Sequence, residues 1–176
     1  VPPIVTHQQR IAMNYHYTSG IRAAMAAIAE GKDPASLLPV ETAPIQLERP
    51  LFLFDLETTG VDTVKDRIVE IAAMRVETDL SISKRAHGLV NPGIPIPKEA
   101  SDIHGITDDK VKDAPRFRQY AKGIAAMAEG CDIAGFGVIR FDVPMLHEHF
   151  AREGMRWIPD LSRILDAGAI FKVREP

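Results

Sequence analysis

Asp55 and Glu57 stand one residue apart, directly after the apolar run Leu51–Phe54 and directly before Thr58-Thr59-Gly60. In a β-strand, residues i and i+2 share a side, so both carboxylates project together from the C-terminal end of a strand. Open α/β sheets bind ligands at that end. Two adjacent carboxylates repel each other and resist burial without a neutralising cation. Hard divalent cations such as Mg²⁺ or Mn²⁺ favour oxygen donors of this kind. The spacing alone carries little weight. With 24 acidic residues in 176, about three acid-x-acid pairs arise by chance, and Glu77 and Asp79 form another without supporting features. Context separates Asp55 and Glu57 from that background. A buried strand precedes them, and a glycine turn follows whose backbone N–H groups can hold a phosphate or sugar.

Two further segments carry residues of chemical interest. Asp142, in Gly135-Phe136-Gly137-Val138-Ile139-Arg140-Phe141-Asp142, follows an apolar strand and sits in the first turn of a helix. A simple helix acid, favourable to the macrodipole, also fits that place. His104, in Ile103-His104-Gly105-Ile106-Thr107, follows a proline loop, where packing, hydrogen bonding or a place against a nucleotide are all open. His147 and His149 are i and i+2 on one helix and face apart, so they do not make a His-Glu-x-x-His zinc site. They read as surface or packing residues.

The elements that position these groups follow from periodicity. Leu51–Phe54 predicts a buried strand, Ile68–Val76 a second and Ser83–Val90 a third, stopped by Asn91-Pro92-Gly93. Residues 94–97 read as a proline-studded loop and Asp108–Val111 as a short turn. Phe117, Tyr120, Ile124 and Met127 mark one face of a longer helix. Asp132–Phe136 predicts another strand. A helix follows from about Arg140 to Gly154, with Pro144 tolerable in its first turn. Ile164–Leu165 predicts a last short strand, with a helix from Ala167. Three strands followed by strands alternating with helices imply an α/β fold, a mixed sheet with helices packed on it.

The first fifty residues differ. Thr18 or Ser19 can cap a helix with apolar Ile21, Met25 and Ile28, ended by Gly31. Prolines 34, 39, 44 and 50 then mark a linker. Residues 1–49 are therefore expected to form a helical arm and linker, and residues 50–176 the catalytic-type domain. Composition narrows the class further. The chain is 45% hydrophobic and 26% charged, which is ordinary for a globular protein. A net charge of -3 excludes a grossly basic nucleic-acid coat but not an enzyme that holds nucleic acid through metal ions and backbone amides. A single cysteine, Cys131, excludes an internal disulfide framework and suits a reducing compartment. No apolar run approaches the ~18 residues a membrane span needs, and the expected location is cytoplasmic.

Together the strings Leu53-Phe54-Asp55-Leu56-Glu57-Thr58-Thr59-Gly60, Ile103-His104-Gly105-Ile106-Thr107 and Arg140-Phe141-Asp142-Val143-Pro144-Met145-Leu146 resemble the DnaQ-like (DEDDh) 3′–5′ exonucleases. That family includes proofreading subunits of bacterial DNA polymerases. The resemblance covers about Pro50 to Pro176 and keeps the family's motif order. It implies a ribonuclease H-like mixed sheet flanked by helices, with the short helical arm in front. It implies that Asp55, Glu57 and Asp142 are three of four carboxylates holding two divalent cations, Mg²⁺ or Mn²⁺. It implies that Thr58, Thr59, Gly60 and His104 line the terminal nucleotide, with Phe136 placed to stack or pack there. The implied substrate is a single-stranded DNA 3′ end, and a DNA polymerase subunit is the implied partner.

The match has two gaps. The family's late His-x-x-x-x-Asp pair does not occur after Asp142. Ile164-Leu165-Asp166-Ala167 resembles the family's last strand and the helix start after it, so the expectation is that the sequence ends before that motif. A weakened metal site follows from that expectation. In addition, Gly137 stands where many relatives carry Asn. Two alternatives stay open at this point: a 3′–5′ exoribonuclease of the same superfamily, and a nuclease-shaped module that binds nucleic acid or a partner without catalysis.

Overall fold

The computed structural model describes residues 46–169. The expected N-terminal helix, from Thr18 to Gly31, lies outside the described residues. Within them, five strands form one sheet: β1 (Leu51–Thr58), β2 (Ile68–Val76), β3 (Ile82–Leu89), β4 (Asp132–Gly135) and β5 (Ile164–Asp166). The spatial order is β3-β2-β1-β4-β5. The first three strands pair antiparallel, and β4 and β5 continue parallel to β1. This is the mixed sheet expected from the sequence. The α-helices α1 (Lys98–His104), α2 (Asp108–Val111), α3 (Phe117–Ala128) and α4 (Asp142–Arg152) accompany it, and helical residues begin again at Ala167, where the sequence predicts a helix start.

Strand period two divides the residues of β1 between two faces. Phe52, Phe54 and Leu56 point to one, where they meet Ile124 of α3 and Met145, Leu146 and Phe150 of α4 in the main core. Phe52 and Phe54 stack with ring centroids 5.0 Å apart. Leu51 and Leu53 point to the other face and form a smaller cluster with Met74 and Ala134. Asp55 and Glu57 continue that second row beyond the apolar stretch. A third cluster, Val69, Ile96, Ala100, Ile106 and Val111, seats α1 and α2 against the start of β2.

Several boundaries differ from expectation. β1 is longer than Leu51–Phe54 and carries both carboxylates within the strand. β4 ends at Gly135, leaving Phe136 in the following turn. α4 begins at Asp142 itself. The turn read at Asp108–Val111 is a short helix. Helix α1 has no counterpart in the sequence reading, because only one of its residues, Ala100, is buried and so no apolar period marks it. It ends where Gly105 adopts φ 74° and donates its N–H to Ser101 O, a left-handed cap that glycine enters without strain.

Candidate active site

β1 aligns Asp55 opposite Ala72 and Glu57 opposite Glu70 of β2. Directly paired residues share a face, so Glu70 stands beside the acidic pair. His87 Nε2 lies 3.0 Å from Glu70 Oε1. The ladder shifts register between Glu57 and Thr58, a bulge of the kind that re-aims side chains. Beyond it Thr58 and Thr59 turn inward, 7% and 2% exposed.

Asp142 arrives from the other side of β1. That strand pairs with β4 only from Leu51 to Leu53. The Leu56 N–H, past the end of this pairing, donates to Asp142 Oδ1 at 3.2 Å. Asp142 is 4% exposed. Burial pushes its carboxyl up to about 7, and Asp55 adds to the shift. Surrounding protein likewise pushes Asp55 up, with Glu70 next in effect. Glu57 rises through the same desolvation, then through Asp55 and Glu70. Among the described residues, no lysine or arginine forms an ion pair with Asp55, Glu57 or Asp142.

Each of the three carboxylates therefore lacks a compensating charge. Oxygen donors held in this condition fit a hard divalent cation. The described residues do not gather three or more His, Cys, Asp or Glu groups closely enough to form a finished metal cage. The three carboxylates offer oxygen donors without a closed coordination shell among the described residues.

The other expected site residues hold the surrounding loops. Thr59 Oγ1 donates to Asp66 Oδ1 at 2.8 Å and accepts from Arg67 N–H at 3.0 Å. Thr58 Oγ1 donates to Gly60 O at 2.7 Å. A Cβ on Gly60 would meet Asp66 Oδ2 at 2.5 Å, so a side chain there would displace the carboxylate that holds Thr59 Oγ1. His104 Nδ1 accepts from Ile106 N–H at 3.0 Å, and Nε2 lies 3.2 Å from Thr58 O. A carbonyl can only accept, so Nε2 carries the proton and both ring nitrogens are engaged. His104 thus ties the end of α1 to the end of β1. Phe136 is 46% exposed in the turn after β4. His149 is buried, accepting Ile68 N–H at Nε2, 3.1 Å, with Nδ1 2.9 Å from Met145 O. His147 Nδ1 lies 2.7 Å from Trp157 O. His149 is a packing histidine and His147 a surface one, within the surface-or-packing reading of the sequence.

Asp166 was legible only as the end of the last strand. It is 6% exposed. Its Oδ1 accepts from the N–H groups of Gly137, Gly168 and Ala169, and Oδ2 accepts from Ile139. The bonds from Gly137 and Ile139 tie the turn that leads into Asp142 to the end of β5. Nothing in local sequence marks the role, because two of the donors lie 27 and 29 positions away.

Comparison with known proteins bears on the family and the fold. A profile of the RNase_T exonuclease family matches residues 52–174. The DNA polymerase III subunit epsilon of Buchnera aphidicola is 31% identical over 106 residues, 57% of this chain and 45% of the relative. A DNA polymerase III subunit epsilon-like protein of Rhodobacter capsulatus is 32% identical over 126 residues, 70% of this chain and 18% of the relative. The chain thus spans less than half the length of these relatives. Among solved structures, E. coli exonuclease I in complex with a dT13 oligonucleotide superposes with a TM-score of 0.56 at 21% identity, covering 62% of this chain and 25% of that one. That likeness supports the fold. The match over residues 52–174 places this chain in the RNase_T exonuclease family.

Proposed function

We propose that the protein is a divalent-metal-dependent 3′–5′ exonuclease acting on single-stranded DNA ends, with Asp55, Glu57 and Asp142 as its metal-binding carboxylates. The observation that carries the reading is the convergence of β1 and α4: the Leu56 N–H between Asp55 and Glu57 holds Asp142 at 3.2 Å. Family membership and the epsilon-type relatives support the same reading.

Divalent cations bound there, Mg²⁺ or Mn²⁺, would supply an activated water and stabilise charge on the leaving oxygen, by a two-metal scheme. The chain's own residues perform the rest. Asp55 and Glu57, fixed on one face of β1, would hold the cations together with Asp142 of α4. The Thr58–Gly60 segment, braced by Asp66 and His104, shapes the wall for the terminal nucleotide, and Phe136, exposed in the turn after β4, offers an apolar surface. His104 acts in this scheme by holding Thr58, since both its nitrogens are engaged. A role in DNA replication or repair and a polymerase partner extend the reading, on the strength of the epsilon-type relatives.

The test is degradation of matched 5′-labelled single-stranded DNA and RNA oligomers with Mn²⁺ or Mg²⁺, with EDTA, and beside Asp55→Ala. A metal-dependent ladder on DNA that Asp55→Ala abolishes is the expected result. A stronger ladder on RNA would replace the substrate assignment. Activity unchanged in Asp55→Ala would overturn the site assignment.

A further inference from the structure

A cavity of about 120 Å³ opens where the start of β2 meets the C-terminal end of α4. None of Asp55, Glu57 or Asp142 lines it. Three of its wall residues are Arg67, Arg116 and Arg152, beside Asn91 and His149. Among the described residues none of these arginines forms an ion pair. The carboxylate on the wall, Glu153, is engaged by Arg118, Nε to Oε2 3.2 Å.

The three guanidinium groups have different duties. Arg67 Nη1 donates to the carbonyls of Lys65 and Asp66, and Arg152 reaches the carbonyls of Val64 and Asp66. These bonds brace the β1–β2 loop but leave both charges without a counter-ion. The Arg116 guanidinium has no hydrogen-bond partner among the described residues. It lies over Gly93, where an added Cβ would fall 1.6 Å from Nη1, so the absence of a side chain at Gly93 gives it room. His149 adds no charge. Its Nε2 accepts Ile68 N–H, so the ring proton is on Nδ1 and the 3.4 Å approach of Arg152 Nη1 is a contact rather than a hydrogen bond.

Crowding of like charge is felt here. Burial holds Arg152 below the usual arginine range, with Arg67 adding to that and Glu148 opposing it. A confined space walled by three guanidinium groups that form no ion pair among the described residues attracts an anion. The planar guanidinium fork matches phosphate oxygens. The volume is well below the ~300–1,000 Å³ of sites that enclose whole small-molecule ligands. It suits the anion itself. We propose that this arginine-walled cavity is a second binding site, for a phosphate-type oxyanion. Free phosphate and a single backbone phosphate of a nucleic acid share that chemistry. The site stands independently of the nuclease reading, since it uses none of those carboxylates.

The test compares thermal unfolding of the full chain in inorganic phosphate and in chloride at equal ionic strength, pH 7, with EDTA. Arg116→Glu reverses a charge that holds no part of the fold together. Lys122→Glu makes the same charge change at an exposed position of α3 outside the cavity. Phosphate is expected to raise Tm by several degrees in the parent and in Lys122→Glu, and not in Arg116→Glu. An equal rise in Arg116→Glu, or no rise over chloride in the parent, would overturn the site. Binding of a (dT)12 oligomer in EDTA then separates the sources. Weaker binding in Arg116→Glu alone assigns the site to a backbone phosphate, and unchanged binding with a lost phosphate response assigns it to the free anion.

Discussion

Leu56 N–H donates to Asp142 Oδ1 at 3.2 Å across 86 positions of sequence. The bond exists because β4 stops pairing with β1 at Leu53, so the next inward-facing amides of β1 need another acceptor. A carboxylate from the first turn of α4 takes that place. The same bond fixes Asp142 beside the Asp55–Glu57 row and favours its charged form, while burial and Asp55 oppose charging more strongly.

This imbalance gives a pH signature. The folded-state pKa of Asp142 is raised from 3.8 to about 7, so the native protein binds more protons than the unfolded chain between those values. Stability from this group falls as pH rises through that window. The full cost above pH 7 is on the order of a few kcal/mol, at ~1.4 kcal/mol per unit. Asp142→Asn keeps the acceptor for Leu56 and removes the charge. It should raise the metal-free unfolding free energy at pH 8 and leave it little changed at pH 4, as read by urea denaturation.

His149 gives the opposite slope. Its pKa is lowered to about 4 by burial first, with Arg152 and Arg67 adding. The unfolded chain takes up the proton first as pH falls below 6.5, so stability from His149 is lost as pH falls from 6.5 towards 4. His149→Ala should flatten that acid limb. It should also cost ~2–4 kcal/mol at pH 7, because the buried Ile68 N–H loses its acceptor and a void replaces the ring. Urea titrations of both variants across pH 4–8 separate the two opposing contributions.

Much of this was legible in the chain. The run Leu51–Phe54 and the i, i+2 spacing of Asp55 and Glu57 announce a strand with two carboxylates on one face, and the structure puts them there. Asp142 near a helix start was readable from the apolar strand before it and the apolar helix period after it. The tertiary ties were not. Thr59 reads as a substrate contact in the motif, yet its hydroxyl is turned inward onto Asp66 and Arg67. Helix α1 escapes because its single buried residue leaves no period. The arginine cavity is assembled from residues 67, 116 and 152, whose proximity no local pattern encodes.

Gly137 sits at φ 74° with nothing within 4 Å of an added Cβ. The demand there is conformational. Asn enters the left-handed region readily, whereas a β-branched residue does not. Gly137→Asn should therefore cost under ~1 kcal/mol and Gly137→Ile roughly 1–2 kcal/mol or more, measured by the same denaturation assay.

Asp166 accepts from four backbone N–H groups: Gly137 and Ile139 in the turn before Asp142, and Gly168 and Ala169 just after β5. Asp166→Ala leaves buried donors unpaired, and charge-assisted bonds are worth ~1.5–3 kcal/mol each. A loss of at least ~3 kcal/mol is expected, with faster amide exchange at Gly137 and Ile139. A loss within ~0.5 kcal/mol would mean that other contacts hold the turn.

The central claim is that Asp55, Glu57 and Asp142 act together as a divalent-cation site. Calorimetric titration of the protein with Mn²⁺ at pH 7.5, beside Asp55→Asn, Glu57→Gln and Asp142→Asn, tests it most directly. The account predicts saturable binding that weakens at least tenfold in each variant. Binding of equal strength in the parent and all three variants would contradict it.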